Sequence, residues 1–181
     1  GPLMVGYGDL DELLGGLQPS DMIVMGARPS VGKSALALNI SLNVAKSGAT
    51  VGVFSLEMSR EQLAARILAS EAEIDSHRLR LGLSTEAEEQ RIIDSIGRLS
   101  ELPVYIDDTP FQGIVEMRGK ARRLSLEHGL DLLVVDYLGL IQGRGHGDNR
   151  VQEMSEISRS LKRMARDLRV PLIACSQLSR G

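Results

Sequence analysis

The segment "ARPSVGKS", Ala27 to Ser34, sets small residues, one amine and one hydroxyl between the apolar run "MIVM" and the helix-like "ALALNISLNVAKSG". A small residue, four spacers and then Gly-Lys-Ser is the spacing of a phosphate-binding loop. Ala27 holds the first position, where the stricter pattern has glycine, and Gly26 lies one residue earlier. After it come Arg28, Pro29, Ser30, Val31 and Gly32, then Lys33 and Ser34 at the start of the expected helix. Backbone N–H groups of Ser30 through Ser34 would wrap a β-phosphate, and Gly32 would let the main chain pass close to it. The helix N-terminus adds partial positive charge at the same place. Lys33 would reach the β- and γ-phosphates, and the Ser34 hydroxyl would ligate Mg²⁺.

Such a loop needs a second carboxylate for the hydrated metal, at the end of a neighbouring apolar strand. "LLVVDY" offers Asp136. The competing reading is a strand-ending Asp that caps the next turn; beside a phosphate loop, Mg²⁺ coordination through water is the stronger one. "VFSLEMS" offers Glu57, placed where a carboxylate can polarise an attacking water. From the residues alone, a first-turn glutamate favoured by the helix dipole is the stronger reading of Glu57. Gln177, in "ACSQLS", follows another buried strand and either touches the γ-phosphate or faces solvent.

These side chains converge only if the elements carrying them are neighbours. "MIVM", "VGVFSL", "VYID", "DLLVVDY" and "VPLIACS" read as short strands that alternate with helical patterns, which predicts an α/β fold. The unbroken apolar runs "LLVV" and "LIA" suit parallel strands covered on both faces, hence an open, doubly wound, mostly parallel sheet with helices on either side. Ser59 with Gln62 and Thr85 with Glu88 make capping boxes; Thr109, Pro110 and Gln112 are expected to start the helix that Gly129 ends. From Val151, Met154, Ile157, Leu161, Met164 and Leu168 recur on helical period. The stretch 142–150, "QGRGHGDNR", reads as a loop.

Composition limits the class of molecule. The chain has 181 residues, 43% hydrophobic and 25% charged, which suits one folded domain and excludes a disordered or fibrous chain. With net charge −3, any contact to nucleic acid must come from a local basic surface. The single Cys175 fits a buried thiol in a reducing compartment, and a cytoplasmic location is the expectation. No apolar run approaches the roughly 18 residues of a membrane helix. His77, His128 and His146 lie far apart, without metal-ligand spacing. Residues 1–3 read as an expression scar, and 4–181 as the domain proper.

Taken in order, "GYGDLDELLGGLQPSDMIV", "ARPSVGKS", "FSLEMSREQL", "YIDDTP", "RGKARRLSLEHGLDLLVVDYLGLI", "EISRSLKRMARDL" and "SQLSRG" resemble the RecA-like motor domain of bacterial replicative DNA helicases, the DnaB family. The resemblance covers essentially the whole chain after the first residues. It implies that Lys33, Ser34 and Asp136 hold Mg-ATP, that Glu57 is the catalytic carboxylate, and that Gln177 senses the γ-phosphate and couples it to a DNA-facing loop. It implies a homohexamer with ATP between subunits, an arginine finger from the neighbour, single-stranded DNA as the track, and primase and a helicase loader as partners. Arg144 and Arg150 fall in the stretch that resembles the family's first central-channel loop, although a solvent-facing loop explains either one. With two Phe, three Tyr and no Trp, tracking of the DNA backbone fits better than base stacking.

The family's arginine-finger hairpin, second DNA loop and later strands would follow Gly181, so the fold is expected to be truncated at its C-terminal end. Two expectations follow from the resemblance. ATP is bound but hydrolysed slowly, by about 10³ to 10⁵ where an arginine finger is absent. "MIVM" lies beside "PLIACS" and forms an edge of the sheet. The leading reading is an ATP-driven helicase motor. A nucleotide-gated assembly module, a RecA or RadA-type recombination ATPase and, on the phosphate loop alone, a small-molecule kinase are the alternatives.

Overall fold

A computed structural model of the chain describes residues 16–27, 33–136 and 150–177, excepting the side chains of residues 27, 33–36, 150 and 177. The strands are β1 (Met22–Ala27), β2 (Val51–Ser55), β3 (Val104–Asp107), β4 (Leu132–Asp136) and β5 (Leu172–Gln177). The helices are α1 (Lys33–Lys46), α2 (Arg60–Ala72), α3 (Ser76–Arg80), α4 (Glu86–Leu99), α5 (Ile114–His128) and α6 (Arg150–Leu168). They fall into two compact units, one holding the whole sheet and the other spanning Met58–Leu102.

In the sheet unit the strands run in the order β1-β5-β4-β2-β3, and every pairing is parallel. Parallel neighbours cannot be joined by a tight turn, so a crossover links each strand to the next. Successive side chains along a strand point to opposite faces, which is why "LLVV" and "LIA" are apolar at every position. Leu133, Val135, Leu172 and Ala174 join Met117 and Ala121 of α5 and Ile157, Leu161 and Met164 of α6 in one buried cluster. The alternate residues Leu132, Val134 and Ile173 are equally buried, on the face packed by α1 with its buried Ile40 and Val44. Each fully buried Leu or Ile contributes about 1.5–3 kcal/mol of transfer free energy.

Gly52 of β2 permits close approach of a helix. A Cβ there would stand 2.9 Å from Leu124 Cδ2, 3.2 Å from Leu133 Cδ2 and 3.3 Å from Leu130 Cδ1. As expected, β1 pairs with β5 at one edge of the described sheet, and its Val24 is 52% exposed.

Both expected capping boxes form in the helical unit. Ser59 and Gln62 exchange hydrogen bonds at the start of α2, and Thr85 and Glu88 do so at the start of α4. The Glu88 carboxylate also takes two bonds from Arg78, at 2.9 and 3.0 Å. The Thr85 N–H, then Arg78, hold Glu88 below its ordinary 4.5 against the opposing effect of burial. Arg91 Nε donates to the Ala72 carbonyl at the end of α2. The short helix α3 went unread in the sequence, although Asp75 marks it by accepting from the N–H groups of His77 and Arg78.

The start of α5 differs from expectation. Its N-cap is Gly113, with no side-chain cap bond, and not the Thr109–Gln112 segment. The Gln112 amide is drawn away: its Nε2 donates to Asp107 Oδ1 and to the Thr109 carbonyl, and its Oε1 accepts from Lys120. Gly129 ends α5 as expected, in the positive-φ region that glycine enters without strain.

Candidate functional site at the carboxyl rim of the sheet

In an open parallel sheet the loops after the strands gather along one edge, and ligands bind there. The register states which residues share that rim. Ala27 ends β1 opposite Gln177 of β5, Cys175 of β5 lies opposite Asp136 of β4, and Asp136 lies opposite Ser55 of β2. β5 is the only strand between β1 and β4, so the Asp136 backbone stands two strand spacings, about 10 Å, from β1. Helix α1 returns from the end of β1 toward the start of β2, so its first residues, Lys33 and Ser34, lie at the rim.

Asp136 is 4% exposed, although it ends its strand. Glu57 is exposed and follows β2 by two residues. The Leu56 N–H donates to the Asp136 carbonyl at 2.7 Å, which carries the β2–β4 pairing past Ser55 and fixes the backbone just before Glu57 beside Asp136. A sheltered carboxylate at the end of β4 thus has an accessible one just past the end of the neighbouring strand β2. The carboxylate oxygens of Asp136 are donors of the kind that a hard, hydrated cation takes.

The remaining sequence candidates are placed as follows. Arg28, Pro29, Ser30, Val31 and Gly32 lie outside the described residues, as does Arg144. For Ala27, Lys33, Ser34, Gln177 and Arg150 the backbone is described. Gln177 is the last residue of β5 and Arg150 the first of α6, the helix that returns from the rim to β5. The rim therefore gathers the backbones of Ala27, Lys33, Ser34 and Gln177 with Asp136, and Glu57 follows the strand beside it.

One rim carboxylate was passed over in the sequence. Asp107 ends β3, and its strand neighbour in register is Phe54 of β2. Its Oδ2 pairs with Lys120 Nζ at 2.9 Å, and its Oδ1 accepts from Gln112 Nε2 at 2.9 Å and from the Thr109 N–H at 3.1 Å. Burial pushes the Asp107 carboxyl up, but the bonds from Lys120, Thr109 and Gln112 outweigh it and hold it below its ordinary 3.8. With these partners Asp107 shapes the turn from β3 into α5. "YIDD" announced a strand-ending acid; nothing local announced its partner on the next helix.

Over residues 2–181 the chain matches the family of the DnaB-like helicase C-terminal domain. It is 52% identical over 178 residues to the replicative DNA helicase DnaC of Bacillus subtilis (strain 168), covering 97% of this chain and 39% of that protein. It is 51% identical over 178 residues to the replicative DNA helicase DnaB of Geobacillus stearothermophilus, again 97% and 39%. The chain thus spans about two fifths of the length of these relatives. Among solved structures, one ATPase domain superposes with a TM-score of 0.93 at 30% identity, over 99% of this chain and 65% of that one. A DnaB-like replicative helicase, described with its interactions with primase, superposes with a TM-score of 0.92 at 30% identity, over 99% and 44%. The parallel sheet with helices on both faces is the RecA-like fold of these neighbours.

Proposed function

The chain belongs to the family of the DnaB-like helicase C-terminal domain, and we propose that it is the ATP-hydrolysing motor of a replicative DNA helicase, with Mg-ATP held on the carboxyl rim of its sheet. The observation that carries this reading is the pairing of buried Asp136 with exposed Glu57, joined through the 2.7 Å bond from Leu56 N–H to the Asp136 carbonyl, on the rim where α1 begins. Residues 4–181 act as one motor domain on this reading.

The phosphate loop, Ala27 to Ser34, binds the triphosphate through its N–H groups, and Lys33 neutralises charge on the β- and γ-phosphates. Ser34 and Asp136 would hold Mg²⁺, which would supply charge neutralisation on the transferring phosphoryl group. Glu57 orients the attacking water and accepts its proton. Gln177, on the strand between β1 and β4, reports the γ-phosphate to the loop that follows. Single-stranded DNA is the track, met by Arg144 and Arg150. The working assembly is a homohexamer with ATP between subunits, and a loader and primase are its partners; the superposed helicase described with primase supports the last of these.

The test splices this chain in place of the matching segment of the Bacillus subtilis relative. The hybrid is expected to hydrolyse ATP and to unwind a forked duplex. Glu57→Gln should lower both by about 10²–10⁴-fold while leaving nucleotide binding intact. A Glu57→Gln hybrid that still unwinds would support nucleotide-gated assembly and overturn the motor.

A further inference from the structure

The helical unit carries a concave feature that the nucleotide site does not use. Between α2 and α3 lies a cavity of about 120 Å³, lined by Met58, Gln62, Ala65, Arg66, Ser76 and Arg80. Gln62, Ala65 and Arg66 recur at three- and four-residue steps on α2, and Ser76 and Arg80 are four apart on α3, so each helix turns one face to the cavity.

Every polar side chain in this lining is a donor. Arg66 and Arg80 bring guanidinium groups and Ser76 a hydroxyl. Gln62 already spends its Oε1 on the Ser59 N–H, at 2.9 Å, which leaves its NH₂. Among the described residues no carboxylate lines the cavity. Among the described residues neither Arg66 nor Arg80 has an ion-pair or side-chain hydrogen-bond partner. Arg78, between them in sequence, is by contrast engaged by Glu88 and the Leu83 carbonyl.

We propose that this cavity, with Arg66 and Arg80 on its two walls, is a docking site for a single carboxylate side chain presented by a protein partner. Guanidinium groups match a carboxylate with paired, charge-assisted bonds, and Met58 and Ala65 give the methylene stem of a glutamate an apolar surface. Charge decides against a nucleic-acid backbone as the occupant. The unit Met58–Leu102 has six arginines and no lysine against nine Asp and Glu, a net charge of −3, so it repels a polyanion while the cavity accepts one carboxylate. The unit also contains no Phe, Tyr or Trp on which bases could stack.

The test follows the Nε–Hε NMR resonances of Arg66 and Arg80 in the full 181-residue chain. The titrant is the blocked peptide acetyl-Ala-Glu-Ala-amide, with its Gln counterpart as control. Both resonances are expected to shift saturably with the acidic peptide and not with the control. Arg91, already bonded to the Ala72 carbonyl, should stay still. Arg66→Gln and Arg80→Gln, both at exposed positions, should each weaken binding about tenfold without lowering the melting temperature. The proposal is overturned if all arginines shift alike, if the variants bind as the parent does, or if an oligothymidylate moves the two resonances at lower concentration than the peptide.

Discussion

Asp107, Asp136 and Glu57 end or follow neighbouring strands, and one functional group meets three different surroundings there. Asp107 is bound to Lys120, Gln112 and the Thr109 N–H, Asp136 is buried, and Glu57 is exposed. The Asp107 network predicts a pH dependence of stability. Its folded pKa lies below the ordinary 3.8, so its contribution is fully present above that value and is lost as pH falls through it toward the folded pKa, where the unfolded chain binds the extra proton. Urea titrations across this window should show the parent converging on Asp107→Asn as pH falls. A gap between the two that does not change with pH would contradict the assignment. Glu57 was favoured as the catalytic carboxylate only through family resemblance, whereas the place of Asp136 was legible in the sequence because an acid ending an apolar strand is a local pattern. The task of Asp107 was not, because Lys120 reaches it only through tertiary folding, and Gln112, whose spacing from Thr109 resembled a cap, is claimed by that same network.

At the scale of elements, apolar runs bounded by turn residues located all five strands, and Ser59 and Thr85 marked two helix starts. Helix α3 was missed because five residues are too few to show helical periodicity; Asp75 was its one signal. Gly52 carries information of another kind. Its sequence neighbours say only that a strand contains a glycine, whereas three leucine methyl groups crowd the place where its Cβ would be. Gly52→Val should therefore destabilise by about 1–3 kcal/mol, through overpacking against Leu124, Leu130 and Leu133. Calorimetric melting checks this, and an unchanged transition would mean that α5 is not held this closely to β2.

The scale of the whole molecule is where strand order becomes function. Because β5 lies between β1 and β4, residues distant in sequence, Ala27, Asp136 and Gln177, come to one rim, and β2 adds Glu57 next to Asp136. Of this order only the pairing of β1 with β5 was inferred, from family resemblance and not from residue pattern, since apolar strands of similar length do not name their neighbours. On the proposed function this rim holds a magnesium-bound triphosphate between Lys33 and Asp136. The most direct measurement is a titration of the chain with a fluorescent ATP analogue, in Mg²⁺ and in EDTA, for the parent and for Asp136→Asn. The parent should bind more tightly in Mg²⁺ than in EDTA, and that advantage should fall about tenfold or more in Asp136→Asn, the loss of one charge-assisted contact. An Asp136→Asn chain that binds as tightly as the parent, with the same dependence on Mg²⁺, would contradict it.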